Sequence, residues 1–211
     1  MLGGDAGIDT AIYSSAVQVV VTLGSTAPPA TGQGVDRLVG IENLTGSRGA
    51  DGLTGNAAVN VLNGAGGNDM LIGSAGRDRL IGGTGADVFL FTQPTNAGLG
   101  AAADIVRDFA RGRNRLSLAG LDADPGNAGA PAFAWVGTAA RAHGAWFSVG
   151  PAGTMLSLDL GGDARADLQV YLVGLTGLTA AAFSCNLPRP WQIAPSSLHL
   201  ARPPDPGRGD P

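Results

Sequence analysis

"GGNDMLIGSAGRDRLIGGTGADVFLF", residues 66–91, is built almost wholly from glycine, aspartate and a periodic large apolar residue. Aligned from Gly46, Gly55, Gly64, Gly73 and Gly82, the chain reads GSRGADGLT, GNAAVNVLN, GAGGNDMLI, GSAGRDRLI and GGTGADVFL, five nonapeptides that abut without insertion. The first column is always Gly, and the fourth is Gly except at Ala58. The sixth holds Asp51, Asn60, Asp69, Asp78 and Asp87, and the eighth Leu53, Leu62, Leu71, Leu80 and Phe89. One large apolar residue per unit at a strict period marks a solenoid, in which stacking neighbours create the core that no single unit can bury.

Each unit reads as a six-residue glycine turn and a very short strand whose inward side chain is column eight. Two units then make one coil of 18 residues. The turns of units 46, 64 and 82 stack on one edge and those of units 55 and 73 on the other, so Asp51, Asp69 and Asp87 stand in a column. Stacked carboxylates repel, and glycine loses more backbone entropy on ordering than any other residue. A hard divalent cation with six to eight oxygen ligands would remove the repulsion and use the carbonyls of the turns, which fits calcium. Zinc and copper call for His or Cys instead.

The pattern resembles the G-G-x-G-x-D-x-U-x nonapeptide of RTX proteins. The resemblance implies an all-β fold, a right-handed parallel β-roll, with Ca²⁺ between consecutive turns on each edge. Its ligands would be the column-six side chains and the main-chain carbonyls of Gly64, Gly67, Gly73, Gly76, Gly82 and Gly85. Gaps 46/64, 64/82 and 55/73 would give three or more ions, the last weakened by the uncharged Asn60.

The segments on either side extend the pattern. Upstream, GDAGIDTAI (4–12) scans as one more unit with Asp9 in column six, followed by an alternating strand and a Pro/Gly loop. Leu44 lies nine residues before Leu53, which places Glu42 in the acid column, where it is read as a solvated side chain rather than a ligand. Downstream, ADVFLF and DIVRDF are similar to the segment that closes the roll in serralysin-type C-terminal domains. That likeness extends the ligand set to Asp104 and Asp108, although NRLSLAGL carries Asn114 and Ser117 where the pattern has acids. AFAWVG, AWFSVG, TMLSLDL and LQVYLVGL read as strands of a small antiparallel sandwich or sheet that caps the roll, since an open end would expose unpaired strand edges. The turn of Asp159 to Asp167 reads as a plain hairpin rather than a calcium loop. The expected organisation is a lead-in over 1–45, the roll over 46–91, the cap over 92–185 and a disordered Pro/Arg-rich tail over 186–211.

Composition limits the functions. Of 17 acids all but Glu42 are Asp, and the 13 basic residues are all Arg. A formal charge of −4 argues against nucleic acid as a partner. No apolar run is long enough to span a membrane, so no stable insertion is expected, and MLGGDAGIDT lacks the features of a cleavable signal peptide. The single Cys185 excludes an internal disulfide. His143 and His199 stand 56 positions apart with no H-E-x-x-H, and no G-x-S-x-G is present, so no enzymatic activity is expected. The resemblance implies a secreted bacterial, monomeric module that folds on extracellular calcium at about 10⁻⁴ to 10⁻³ M and is exported by type I machinery. Its alternative is the C-terminal part of a serralysin-like metalloprotease, or of an adhesin with Trp135, Trp146 and Tyr171 as a ligand face.

Overall fold

The computed structural model describes residues 2–14, 17–25, 38–123 and 133–184. Its strands are β1 (Leu2–Gly3), β2 (Thr10–Ile12), β3 (Val20–Thr22), β4 (Leu38–Val39), β5 (Asn43–Thr45), β6 (Gly52–Thr54), β7 (Val61–Asn63), β8 (Met70–Ile72), β9 (Arg79–Ile81), β10 (Val88–Leu90), β11 (Asp104–Val106), β12 (Arg115–Ser117), β13 (Ala134–Trp135), β14 (Gly144–Gly150), β15 (Gly153–Leu158), β16 (Leu168–Val173) and β17 (Phe183–Ser184). Most are three residues long, because a six-residue glycine turn leaves only three positions of each nonapeptide to extend. The expected Pro/Gly loop before residue 38, Cys185, His199 and the tail over 186–211 lie outside the described residues.

Two parallel ladders form the roll. One runs β3, β6, β8, β10, β12, β17, and the other β2, β5, β7, β9, β11, β16. The chain alternates between them, so each successive pair of strands is one coil, and six coils stack. Column eight forms the interior: Leu53 pairs with Leu71, and Leu71 with Phe89, while Leu44, Leu62 and Leu80 pair in the second ladder. These side chains are at most 1% exposed, and each fully buried Leu contributes about 1.5–3 kcal/mol. Val21, Leu116, Val106 and Leu172 continue the same rows outside the strict repeats.

Residues 46–91 mark where the 18-residue spacing is strict; the strands run past both limits. Asp9 and Glu42 are separated by 33 residues, Asp78 and Asp104 by 26. Tyr171 pairs with Ile105 although 66 residues separate them. The ladder tolerates this because only the turns lengthen, and a longer surface loop adds little closure entropy. The antiparallel meander β14, β15, β16 is such a lengthening, placed between β12 and the last coil. Since β16 also pairs with β11, the cap is a sheet continuous with the roll rather than a separate sandwich. Trp135 stacks on Phe147 at 5.6 Å and meets Phe183 at 4.7 Å, the three packing half-buried against the core, and Trp146 and Tyr171 are half-buried as well. Among the described residues no helix is long and apolar enough to cross a membrane.

Charge is sorted radially. Arg48, Arg77, Arg79, Arg107, Arg111, Arg113, Arg115, Arg141 and Arg165 are all exposed. Among the described acids only Asp5, Asp163 and Asp167 are exposed, whereas Asp51, Asp69, Asp78, Asp87, Asp104 and Asp159 are buried.

Candidate metal centre

The column-six side chains line the two edges of the roll as expected from their spacing, each entirely buried. On edge one, the Asp51 N–H donates to Asp69 Oδ1 (2.8 Å) and the Asp69 N–H to Asp87 Oδ1 (3.1 Å). On edge two the Asn60 N–H donates to Asp78 Oδ1 and the Asp78 N–H to Asp104 Oδ1, both at 2.8 Å. One oxygen of each carboxylate therefore ties its coil to the previous one. The other is left over: Oδ2 of Asp69, Asp78, Asp87 and Asp104 is buried without a hydrogen-bond partner, and so is Oδ2 of Asp9.

An unpartnered buried carboxylate oxygen is costly, and the carboxyl responds by holding its proton. Burial pushes Asp69 up to about 7, with the charges of Asp51 and Asp87 adding to the rise against the lowering effect of the Asp51 N–H. Burial likewise takes Asp78 to about 7, and Asp104 to about 8 with the charge of Asp78 adding. Asp87 is raised by burial and by Asp108, while Arg113 opposes the rise.

The glycines keep the space around these oxygens open. A Cβ on Gly64 would run into Asp69 Oδ2 and the Gly82 carbonyl at 2.6 Å, and one on Gly82 into Asp87 Oδ2. On Gly73 it would meet Asp78 Oδ2 at 2.5 Å and Asp104 Oδ2 at 3.1 Å. Gly67, Gly76 and Gly85 adopt φ values of 111°, 122° and 135°, each against a carbonyl of the preceding same-edge turn: Gly49, Ala58 and Gly67. Among the described residues no three His, Cys, Asp or Glu side chains gather as a metal cluster. A cation on either edge would draw on two carboxylates and otherwise on backbone carbonyls, an all-oxygen donor set that suits calcium and not zinc. The residues fit such an ion, which would bring two positive charges to oxygens that have no other partner.

The other expected ligands differ in their surroundings. Asp51 is satisfied within the chain: Oδ1 accepts from the Val19 N–H and the Ser47 hydroxyl, and Oδ2 from the Ser47 N–H. Asn60 Oδ1 takes the Asn56 N–H, while its Nδ2 donates to the Glu42 carbonyl. Asp108 caps the turn of coil four, accepting the Gly82 and Gly83 N–H groups at 2.9 and 2.7 Å. Glu42 is half-buried, and its Oε2 accepts the Asp9 N–H at 2.9 Å, so it performs the backbone role of column six. Asn114 does the same for the Asp87 N–H, at a spacing of 27 residues in place of the 18 that separates same-edge partners in the strict repeats. Asp159 is buried, which would raise it, yet N–H groups of Gly162, Ala164 and His143 hold its carboxyl below the ordinary range. That is a hairpin organised by its own backbone.

Stacked acidic turns on both edges of a glycine-rich parallel roll define the class of calcium-binding β-roll modules. The chain matches the family model "Peptidase M10 serralysin C terminal" over residues 32–183, and it belongs to that family. No curated protein matches it in sequence. Among solved structures it is similar to the AlgE6R3 subunit of the Azotobacter vinelandii mannuronan C5-epimerase, at 24% identity and a TM-score of 0.49, over 81% of this chain and 90% of that one. The AlgE6R2 subunit of the same enzyme gives 24% identity and a TM-score of 0.40, over 85% and 93%.

Proposed function

We propose that this chain is a calcium-triggered folding module of a secreted bacterial protein. It stays unfolded where calcium is scarce, folds outside the cell, and stabilises and supports the type I export of whatever it is joined to. The observation that carries this reading is the set of buried, unpartnered Oδ2 atoms of Asp69 and Asp87 on edge one and of Asp78 and Asp104 on edge two. A fold with that many uncompensated carboxylates is poorly stable alone, and binding free energy becomes folding free energy. Ligation is assigned to the column-six side chains, to Asp104 and to the turn carbonyls of Gly64, Gly67, Gly73, Gly76, Gly82 and Gly85, with three or more ions. Asp51, Asn60 and Asp108 are the weakest of the expected ligands, because their oxygens already have protein partners. Equilibrium dialysis of the purified chain against calcium tests the number of ions; fewer than three bound per chain would reject it.

Membership of a family named for the C-terminal part of a peptidase supports attachment to a catalytic part. No catalytic role is assigned to the residues of this chain. Casein zymography of the isolated chain should show no clearing, and clearing would overturn that assignment.

A further inference from the structure

The turn over residues 107–114, RDFARGRN, has its contents sorted by direction. Phe109 is buried and packs on Phe89 at 6.1 Å, Asp108 is pinned to Gly82 and Gly83, and Asn114 is buried against the Asp87 N–H. These three anchors leave Arg107, Arg111, Arg113 and the following Arg115 exposed on a turn held in place. None of the four makes an ion pair with a described residue. The turn lies on edge one, as does Arg48, whereas the exposed carboxylates Asp5, Asp163 and Asp167 all precede second-ladder strands and so lie on edge two. Edge one thus carries arginines with no exposed carboxylate among the described residues.

An apolar tip stands beside this turn. Val106 pairs with Leu172, and Val173 pairs with Gly153, which pairs with Gly150. With adjacent strands about 4.8 Å apart, the hairpin tip over 148–152 lies about 10–15 Å from the Arg107 backbone. There Val149 is 52% exposed, and Pro151 and Ala152 are exposed as well. The cavities of about 350 Å³ beside Gly40 and Glu42 and of about 140 Å³ beside Trp135 and Phe183 are lined by none of these residues. Exposed arginines beside an apolar tip match a surface that offers anionic groups over an apolar interior, because charge pairing and burial of the tip then act together, whereas a soluble polyanion would leave the tip unused.

We propose that edge one, at the 107–115 turn and the 148–152 hairpin tip, is a peripheral docking surface for an anionic lipid bilayer. The guanidinium groups pair with headgroup phosphates, and the tip sits at the interface. The surface depends on the roll being folded, whichever ion holds it, so circular dichroism of each sample separates a failure to fold from a failure to dock.

The test is co-sedimentation of the folded full chain with vesicles of mixed phosphatidylglycerol and phosphatidylcholine, against phosphatidylcholine alone, at one fixed calcium concentration. Binding to the mixed vesicles only is expected. Each arginine removed should lower partitioning about fivefold, so Arg107→Gln with Arg111→Gln should lower it about 25-fold, and Val149→Asp should lower it further. Arg111→Gln with Arg115→Gln serves if the first pair does not fold. Equal binding to neutral vesicles, indifference to both arginine pairs, or capture of soluble heparin with no vesicle binding would each overturn the proposal.

Discussion

The Asp69 N–H donates to Oδ1 of Asp87, eighteen residues on, while the Oδ2 atoms of both residues are buried with nothing to bond. Half of each carboxylate builds the stack and half is held in reserve. Asp51 has no such reserve, since Ser47 and Val19 occupy both its oxygens. Replacing Asp69 with Asn should therefore raise the calcium midpoint of folding at least tenfold, an effect of about 1.4 kcal/mol or more. Asp51→Asn should move it less. Titration followed by circular dichroism measures both, and equal midpoints would contradict the division of roles.

On edge two, Asn60 sits one coil from Asp78 with a neutral amide. Asn60→Asp adds a charge next to a carboxyl already destabilised by burial. The metal-free chain should lose residual structure, while the calcium midpoint falls several-fold because the site gains a charged ligand. A midpoint that rises would show that the Asn60 Nδ2 bond to the Glu42 carbonyl matters more than the missing charge.

Gly64→Ala should abolish calcium-dependent folding, since its Cβ would take the space between Asp69 Oδ2 and the Gly82 carbonyl. Gly150→Ala is the matched control: the nearest atom to its Cβ is at 3.7 Å, and folding should be unchanged. A normal titration for Gly64→Ala would remove that cradle from the binding site.

The raised carboxyls set a pH dependence for the metal-free chain. Asp69 and Asp78 at about 7 and Asp104 at about 8 lie well above the unfolded value of 3.8. A raised folded pKa contributes stability that is present at low pH and lost as pH rises through the folded value. Metal-free β structure should thus grow as pH falls from above 8 towards 5, and calcium binding near pH 7 should release protons. Circular dichroism in EGTA across that range, with proton release followed in weakly buffered titrations, checks both; β structure that falls on acidification would contradict the assignment.

The roll was legible because its rule is local. A glycine turn, an acid and one Leu per nine residues specify strand, edge and core, and Leu44, Asp9 and Glu42 extend the register beyond the perfect repeats. Periodicity did not reach what depends on turns of irregular length, and only the family likeness of DIVRDF places Asp104 and Asp108 at the roll. Residues 104–106, 115–117, 168–173 and 183–184 return to the two ladders after 26 to 67 residues, and no periodicity survives such insertions. Nor does spacing reveal that Ser47 satisfies Asp51, and only the family likeness of NRLSLAGL places Asn114 at an acid position. Trp135 and Trp146 look alike in the sequence, and only the register of β14 sends the neighbouring aromatics to different sides.

The most direct measurement is far-UV circular dichroism of the purified chain during calcium titration, with magnesium as control. Conversion from coil to β structure with calcium alone is the predicted result. A chain already in its full β structure, and equally resistant to protease, in excess EGTA would contradict the claim that the ion closes the roll.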